Sequence, residues 1–488
     1  MDIPVYILEI MEKLQSSGYQ AELVGGCVRD FLREKTPKDW DLATNARPEQ
    51  ILKIFPQGKY ENTFGTVMIP CRDQSDVLLE VVELTTYRSE QGYADSRHPD
   101  TVYFEDSLEK DLERRDFTVN AMALRLDNNG DYQAGGKRFV LVDLFGGLKD
   151  IRKKVIRAVG EPSDRFKEDA LRMMRAIRFA AQLGFSLEPK TQRGIVKLAG
   201  SLKFVAKERI RDELIKIISS NQPAEGIMSL HESKLLQYII PELEQGVGFK
   251  QNHHHIYPVF KHNVLSLKYC PSTDWPVRLA ALLHDVAKPK TCRFIDGQAT
   301  FYNHEYVGAK MADKILSRLK FKNEDRERIV NLVKNHMFYY NVDEVTATSV
   351  RRLISKVGRD NLQDLIHLRV ADRLGSGTPK AMPYKLRHLQ YMMEKVQHDP
   401  VSVKMLAING NHLMTELSLA PGPKIGAILE VLLSEVLEDP ARNEIKYLLT
   451  RARLLQESDL ESLRQQAQLS IKEKRSDEDQ DMQRRHKV

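Results

Sequence analysis

The sequence predicts an α+β protein with a mixed-sheet head at its N-terminus and helices in the rest of the chain. Three observations support this fold class. Short β-rich segments such as TVMIPC (66–71) and VLLEVVELTTY (77–87) lie close together within residues 20–150. Beyond about residue 163, apolar residues recur at helical spacing and strand patterns nearly vanish. A length of 488 residues indicates several domains, because domains cluster near ~100–150 residues.

Changes of pattern along the chain predict its domain boundaries. We predict a head at 1–150, a helical neck and body at 151–245, a helical unit rich in histidines at 246–400, and a short helical unit at 401–456. The charged residues of 457–488 contain few aromatic side chains, so we predict a fraying helix or a disordered tail there.

Composition places the chain among globular proteins. Hydrophobic residues make up 42%, charged residues 29%, and no run of ~18 apolar residues predicts a membrane span. The N-terminal stretch MDIPVYILEIMEKLQ carries acids among its apolar residues, unlike a signal peptide, so we expect a cytoplasmic protein with no membrane partner. Four scattered cysteines form no CxxC pair, which argues against a zinc knuckle or a disulfide framework. A net charge of +6 permits a polyanionic partner without requiring one.

Two acids and a glycine pair form the first candidate site. Asp39 and Asp41 flank Trp40 on a predicted strand, whose period of two residues places both carboxylates on one face. Such a pair suits a hard divalent cation, which prefers oxygen ligands. Gly25 and Gly26 precede a helix start, where the backbone can approach a phosphate closely. Either pattern alone is usually a surface or turn feature, but their combination in one short stretch predicts a triphosphate held on Mg²⁺.

Four motifs in a fixed order carry a family resemblance. GGCVRDFLREKTPKDWDLAT (25–44) resembles the signature of class II CCA-adding tRNA nucleotidyltransferases and bacterial poly(A) polymerases, within the DNA polymerase beta superfamily. The motifs that follow in that family are similar to LERRDFTVNAMAL (112–124), EDALRMMRAIRFAAQLGF (168–185) and ERIRDELIKII (208–218). The resemblance implies a polymerase-beta-like head, a helical neck and body, and a nucleotidyltransferase that extends RNA 3′ ends with CTP and ATP.

The same resemblance implies catalytic roles for three acids. Asp39 and Asp41 match the family's Mg²⁺-binding pair. Glu83, in VVELTT, aligns with an acid that helps deprotonate the RNA 3′-hydroxyl, although Glu80 is a nearby competitor. Phosphoryl transfer at such a site depends on positioning and on neutralising charge with metal ions.

Further matches imply a nucleotide-binding site. The positions that match nucleotide contacts are Gly26, Arg29 and Arg115. Asp169 and Arg172 match the pair that reads the base, because a carboxylate accepts from an exocyclic amine and a guanidinium donates to ring acceptors. On the same helix, Arg175 and Arg178 are candidates either for phosphate binding or for an ion-paired helix face.

Two segments of the sequence indicate which nucleotides such an enzyme would add to the RNA end. The stretch 86–112 resembles a flexible loop that the family needs for the final A and shortens in enzymes that add only two cytidines. The region ENTFGTVMIPCR (61–72) lacks the basic-aromatic signature usual in the family's poly(A) polymerases. We therefore predict CCA addition, with an A-adding enzyme or a poly(A) polymerase as the alternatives.

A second constellation lies in the helical half and resembles the HD phosphohydrolase superfamily. It begins with the pair His284 and Asp285 in LLHDVAKPK. The positions that match the first metal's ligands are His262, His284, Asp285 and Asp372. The positions that match a second metal or a phosphate are His304 and His336. Such mixed ligands suit a transition metal such as Mn, Ni, Co or Fe.

Three further interpretations of the helical half stay open. Histidines on helices are often capping or core residues, so the HD-like cluster predicts metal binding with or without hydrolysis. Its substrates would be phosphomonoesters or 2′,3′-cyclic phosphates at RNA ends, and a protein that acts mainly as such a hydrolase is a further alternative. The histidine run at 253–255 is interpreted as a linker or rim feature.

A belt of basic residues follows the head. Its members are Arg172, Arg175, Arg178, Arg193, Lys197, Lys203, Lys207, Arg209 and Arg211. The family resemblance implies that this belt grips the acceptor arm of tRNA. Such binding would depend on phosphates and duplex shape, and hence on salt. No pattern in the sequence predicts the oligomeric state.

Overall fold

The computed structural model describes residues 3–61, 65–73, 75–91, 101–251, 256–295, 298–342, 344–397, 403, 406–463, 465 and 480–488. Residues 92–100 of the predicted loop, the histidine run at 253–255 and residues 466–479 of the predicted tail lie outside these ranges. The chain forms two compact units, Met1–Lys334 with Ala371–Gly377 and Asn335–Val370 with Thr378–Val488. Within the described ranges, no helix is both long and apolar enough to cross a lipid bilayer.

The head joins one large sheet to short helices, as predicted. In chain order its elements are α1 Val5–Ser16, β1 Ala21–Val24, α2 Gly26–Leu32, β2 Asp41–Thr44, α3 Pro48–Ile54, β3 Lys59–Tyr60, β4 Thr66–Arg72, β5 Leu78–Thr86, β6 Arg88–Gln91, β7 Thr101–Phe104, α4 Leu108–Glu113, β8 Ala123–Leu126, β9 Tyr132–Ala134, β10 Lys137–Val142 and α5 Gly147–Lys153. The N-terminal stretch forms α1, whose apolar face is buried.

The head's main sheet has eight strands in the order β3-β4-β5-β2-β1-β8-β10-β9. β2 and β5 run parallel, whereas the other neighbouring strands of the described sheet run antiparallel. The sheet is therefore mixed, and the predicted fold class is confirmed. The parallel pair sets Asp41 opposite Glu83, so it joins two acids that are distant in sequence.

The first unit continues almost entirely in helices. Its further elements are β11 Val155–Ile156, α6 Pro162–Glu168, α7 Leu171–Leu183, β12 Ser186–Leu187, α8 Pro189–Leu198, α9 Lys207–Ile218, α10 Pro223–Glu232, α11 Leu236–Ile239, α12 Pro241–Glu244, α13 Val259–Lys268, α14 Trp275–Leu283, α15 Lys288–Thr291, β13 Arg293–Ile295, β14 Gln298–Thr300, α16 His304–Arg318 and α17 Asn323–Asn335. The antiparallel ribbon of β13 and β14 was not predicted, although the Asp-Gly pair at 296–297 between its strands is a hairpin signal.

Helix α7, which carries the predicted base-reading motif, forms as its spacing predicts. Leu171, Met174 and Ile177 recur every three residues and are buried. Gly184 ends the helix with φ +69°, a left-handed conformation that glycine adopts without strain. The arginines of the motif are thereby held on α7, whereas Asp169 lies in an extended conformation between α6 and α7.

The second unit is helical throughout its described residues. Its elements are α18 Ala347–Val357, α19 Leu362–Gly375, α20 Tyr384–Gln397, α21 Gly410–Leu417, α22 Pro423–Glu438 and α23 Ile445–Leu455, and the last residues of α19 belong to the first unit. A core of buried aliphatic side chains from α21, α22 and α23 holds its C-terminal part together. The predicted boundaries of the five domains stay predictions.

The C-terminal residues that the structure describes are helical, one of the two forms predicted for the tail. Residues 480–486 form a helix. Met482 is buried, and His486 Nε2 lies 2.6 Å from Glu394 Oε2 on α20. These long-range contacts stabilise a segment whose own composition favours disorder.

Candidate active site

All ten residues predicted for the head's site line one cavity of about 980 Å³. They are Gly26, Arg29, Asp39, Asp41, Glu83, Arg115, Asp169, Arg172, Arg175 and Arg178. Basic side chains outnumber acidic ones in the lining, nine to five. The cavity therefore combines a cluster of acids with a positive surround, which is the charge pattern that a metal-bound triphosphate requires.

The acids meet where β2 begins. Asp41 is the first residue of β2, Glu83 lies opposite it on β5, and Asp39 lies in the bend just before the strand. Our expectation that a strand carries both aspartates is thus corrected, because the strand starts only at Asp41. Burial raises the pKa of Asp41, Asp39 raises it further, and Arg115 opposes both effects. Burial and the charge of Asp41 also raise the pKa of Glu83. A divalent cation would relieve this repulsion, so the three carboxylates fit one.

Glu80, the alternative third acid, has a different setting. Its carboxylate accepts a hydrogen bond from the hydroxyl of Tyr6 on α1. Glu80 is absent from the cavity lining, whereas Glu83 is part of it. Successive side chains of a strand point to opposite faces, so residues three apart on β5 cannot both face the cavity.

A glycine turn forms the floor of the cavity. Gly25 has φ +76°, and a Cβ atom there would lie 3.0 Å from Arg115 Nη1 and 3.5 Å from Asp41 Oδ2. Any other residue would be strained and would intrude between the arginine and the acid. Gly26 then begins α2, so the backbone can approach a ligand closely beside both charges.

Two of the predicted arginines are held by buried polar side chains. Arg29 Nη1 donates to Asn120 Oδ1 at 2.8 Å. Arg115 Nη2 donates to Asp111 Oδ2 at 3.0 Å, and Arg114 Nη2 donates to Asp111 Oδ1 at 2.7 Å. Asp111 thus bridges two neighbouring guanidiniums from below the cavity. Their orientation is fixed before any ligand binds, which lowers the entropy cost of binding.

The predicted base-reading pair is not an ion pair. Asp169 receives a bidentate contact from Arg209 on α9, at 2.7 Å to Oδ2 and 3.3 Å to Oδ1. Arg172 instead pairs with Glu168 and donates to the carbonyl of Arg114. Both side chains still line the cavity, each positioned by a different neighbour.

Arg175 and Arg178 form ion pairs and also line the cavity, so they fit both roles considered for them, an ion-paired helix face and phosphate binding. Arg175 donates to Asp116 Oδ2 at 2.8 Å, and Arg178 lies 2.8 Å from Glu213. Burial would raise the pKa of Asp116, but Arg175 lowers it. The two arginines also line the cavity, where they flank the ring of Phe179. Ion pairing therefore positions them for a ligand.

The predicted HD-like ligands of the first unit converge in its buried helical core. His262 Nε2 lies 3.0 Å from His284 Nε2, 3.1 Å from Asp285 Oδ2 and 3.4 Å from Asp372 Oδ1. His284 Nδ1 contacts the carbonyl of Ala281 at 2.8 Å, which leaves Nε2 directed at the cluster. Burial would lower the pKa of His284, but Asp285 and Asp372 raise it to about 10. Two imidazoles and two carboxylates at these spacings fit a metal ion.

His304 and Lys288 extend this cluster. His304 Nε2 lies 3.3 Å from Asp285 Oδ1, while its Nδ1 contacts the carbonyl of Phe301. Lys288 Nζ, which we did not predict, lies 2.6 Å from Asp285 Oδ2. His336 is buried but belongs to the second unit, so its predicted role stays a prediction.

Comparisons with known proteins agree with this geometry. The model of the poly(A) polymerase head domain matches residues 21–157, the "Probable RNA and SrmB- binding site of polymerase A" matches 184–246, and the HD domain matches 267–376. An A-adding tRNA nucleotidyltransferase of Deinococcus radiodurans is 36% identical over 438 residues, which cover 84% of this chain and 90% of the relative. The chain belongs to the tRNA nucleotidyltransferase family.

Other relatives of this nucleotidyltransferase are named CCA-adding enzymes and not A-adding enzymes. A CCA-adding enzyme of Lactiplantibacillus plantarum is 31% identical over 451 residues, covering 92% of this chain and 96% of the relative. The crystal structure of the Bacillus stearothermophilus CCA-adding enzyme in complex with CTP has a TM-score of 0.56 and 25% identity, and covers 93% of this chain and 99% of that one. The predicted family, fold and enzyme class are confirmed.

Several residues that line or support the sites of this nucleotidyltransferase were not predicted from its sequence. Those in the head's cavity are Arg88, Arg114, Asp116, Asn120, Phe179 and Lys216, and Arg209 was assigned only to the RNA belt. Arg114 and Asp116 flank the predicted Arg115, so the RRD triplet as a whole was the signal. Lys288 follows Asp285 at i+3, the spacing of neighbours on a helix surface.

Asp111→Asn should lower the free energy of unfolding of the nucleotidyltransferase at pH 7 by about 2 kcal/mol. Burial would raise the pKa of Asp111, but Arg114 and Arg115 lower it to about 2. A depressed pKa stabilises the fold above the unfolded pKa of about 4 and loses that effect as pH falls towards 2. Urea denaturation should show a larger deficit at pH 7 than at pH 3, whereas the exposed Asp106→Asn should show none. An equal deficit at both pH values would contradict the charge-based account.

Proposed function

We propose that this nucleotidyltransferase adds CMP and AMP to tRNA 3′ ends without a nucleic-acid template, and thereby synthesises CCA. The observation that carries the proposal is the single cavity that unites three acids, a glycine turn and a base-reading helix. Full-length relatives that bear the name CCA-adding enzyme support the product.

In the proposed reaction, the RNA 3′-hydroxyl oxygen bonds to the α-phosphorus of CTP or ATP, and the bond from that phosphorus to pyrophosphate breaks. Glu83 accepts the hydroxyl proton, since it lies opposite Asp41 and lines the same cavity. Arg29 and Arg115 neutralise the charge of the leaving pyrophosphate. Mg²⁺ held by Asp39 and Asp41 would assist hydroxyl attack and departure of the leaving group.

The acceptor RNA would approach along the exposed part of the basic belt. Arg193, Lys197 and Lys203 are exposed on α8 and the turn that follows it, whereas Arg172 and Arg209 line the cavity. The exposed residues suit phosphates of a duplex arm, and the inner ones suit the terminal nucleotide. Binding of tRNA should therefore weaken steeply as salt rises.

A-only addition is the second candidate for the product. It is favoured by the A-adding relative, which shares 36% identity over most of both chains. The loop segment that should distinguish CC-only enzymes includes residues 92–100, outside the described ranges. Both candidates use the same catalytic acids, so only the nucleotide incorporated separates them.

One incorporation assay separates these products. Transcripts of one tRNA that lack CCA, CA or only A would be incubated with Mg²⁺ and CTP, ATP or both. CCA synthesis predicts that CTP alone adds two cytidines to the transcript that lacks CCA. It also predicts that CTP and ATP together complete the end of every transcript. A-only addition predicts extension only of the transcript that ends in CC, and poly(A) activity predicts long products with ATP. No extension of any transcript would reject the proposal.

We also propose that the HD-like cluster binds a transition metal such as Mn, Ni, Co or Fe and hydrolyses phosphate esters at RNA ends. Four buried side chains with nitrogen and oxygen donors support metal binding. Hydrolysis of a 2′,3′-cyclic phosphate would form one bond from water to phosphorus, break one ring P–O bond and protonate the released hydroxyl. The bound metal would activate the water.

His284→Ala should remove a metal ion from the full-length protein without affecting CMP incorporation. Loss of one of two adjacent imidazoles removes a central ligand, while the head's acids stay intact. Metal content after dialysis against Mn²⁺, together with turnover of cytidine 2′,3′-cyclic phosphate, measures the effect. His231→Ala, a histidine paired with Glu244 outside the cluster, is the matched control. Equal Mn²⁺ content in His284→Ala and the control would rule out the site.

A further inference from the structure

The segment that leads into His304 presents three exposed aromatic rings. Phe294, Tyr302 and Tyr306 are 77%, 72% and 51% exposed. Exposure of one such ring is ordinary, but three exposed rings within thirteen residues leave an unusual amount of apolar area in contact with water. We call these three side chains the aromatic rim.

The ribbon that bears Phe294 ends beside the HD-like cluster. In the antiparallel pair β13–β14, Phe294 lies opposite Ala299, and Phe301 directly follows the last residue of β14. The ring of Phe301 lies 5.7 Å from Lys288 Nζ, and that nitrogen lies 2.6 Å from Asp285 Oδ2. The ribbon therefore adjoins the cluster at the end where Phe301 leaves it.

Tyr302 lies close to the cluster because it is near His304 in the chain. His304 Nδ1 lies 2.7 Å from the carbonyl of Phe301, and its Nε2 faces Asp285. Tyr302 is two positions before His304, so their Cα atoms lie within about 7 Å. Asn303 between them adopts φ +61°, which fixes an abrupt turn at this point. The rim thus adjoins the cluster.

Charge around the rim favours an anionic ligand. Between Lys288 and Lys310 the sequence has four basic residues and two acidic ones, and Lys290 and Arg293 are exposed. Aromatic faces beside cations are the usual platform for unpaired bases, because every base has a face that can stack. A phosphate at the cluster would place an attached nucleobase at the rim.

We propose that the aromatic rim stacks the terminal nucleobase of a single-stranded RNA end or nucleotide whose phosphate enters the HD-like cluster. The proposal rests on the proposed phosphohydrolase and restricts its substrate to nucleotides with an unpaired base. Phosphate esters that lack a base would bind through the cluster alone. Any base should be accepted, since stacking discriminates weakly among bases.

Binding of uridine 3′-monophosphate to the full-length protein with Mn²⁺ tests the rim without requiring turnover. Uridine is chosen because the head is proposed to select cytosine and adenine. Phe294→Ala should raise the dissociation constant for uridine 3′-monophosphate by about tenfold, as measured by calorimetry. The dissociation constant for glycerol 2-phosphate should stay unchanged. Phe204→Ala, an aromatic residue 71% exposed and outside the rim, is the matched control and should change neither. Equal uridine 3′-monophosphate binding by the wild type and Phe294→Ala, or none by the wild type, would overturn the proposal.

Turnover of uridine 2′,3′-cyclic phosphate separates this inference from the hydrolase on which it rests. The rim predicts a higher KM and an unchanged kcat in Phe294→Ala. Absence of turnover with every metal would reject the hydrolase, while Phe294-dependent binding would still support the rim. Turnover with the same KM in both proteins would reject the rim and leave the hydrolase standing. That outcome would favour a protein partner for the exposed rings.

Discussion

Asp41→Asn should reduce CMP and AMP incorporation by at least about 1,000-fold, with little change in the overall fold. The substitution keeps the size of the side chain and removes one of the charges that face Asp39 and Glu83. Because burial and Asp39 already raise the pKa of Asp41, its loss relieves repulsion and should not destabilise the head. The defect should therefore appear in kcat for both nucleotides. Single-turnover incorporation on a tRNA transcript that lacks CCA measures it.

Asp131→Asn is the matched control for this experiment. Asp131 is an exposed acid of the head, immediately before β9 and outside the cavity lining. The control should keep wild-type incorporation, and both variants should keep the circular dichroism spectrum of the wild type. Asp41→Asn with activity within tenfold of the control would show that Asp41 does not hold the catalytic metal.

Asp169→Ala should lower kcat/KM for CTP by about 10- to 100-fold and reduce the preference for CTP over UTP. A carboxylate offers about four acceptor positions. Arg209 and the amide of Leu171 occupy three of them, which leaves one on Oδ2 for the exocyclic amine of cytosine or adenine. Uracil presents a carbonyl there, so the wild type should reject it and the alanine variant should not.

Misincorporation measured with all four nucleotides distinguishes this role from a merely structural one. Loss of the Asp169–Arg209 pair would lower activity towards every nucleotide equally if the contact only supported the helices. The base-reading role predicts that the ratio of CTP to UTP incorporation changes. Asp164→Ala removes an acid from neighbouring α6 that lies 3.6 Å from Lys167 on the surface, and it should leave the ratio unchanged. An unchanged ratio in Asp169→Ala would reject the assignment.

The sequence by itself determined the fold class and the family, and it predicted ten residues that line the head's cavity. Motifs such as GGCVRDFLREKTPKDWDLAT are local, and their helices and turns follow from short-range spacing. Gly184 ends α7 because glycine adopts the left-handed conformation without strain. Residues within one motif therefore lie together whatever the rest of the chain does.

Partnerships between distant segments were decided only by the tertiary structure. Glu83 rather than Glu80 faces Asp41 because the parallel register of β2 and β5 selects one face of β5. Asp169 pairs with Arg209, forty residues away, and not with the nearby Arg172, because α9 packs against α7. The helix at 480–486 likewise contacts a residue outside its own segment, Glu394 on α20.

The physical reason is the range of the forces involved. Helix periodicity, strand alternation and glycine conformations act over a few residues, so the sequence alone determined which side chains share a face. Ion pairs and hydrogen bonds act over a few ångströms in space, so each buried charge takes whichever partner packing brings within reach. The sequence thus predicted Asp39, Asp41, Asp169 and His284 as site residues. The tertiary structure decided which neighbours orient them.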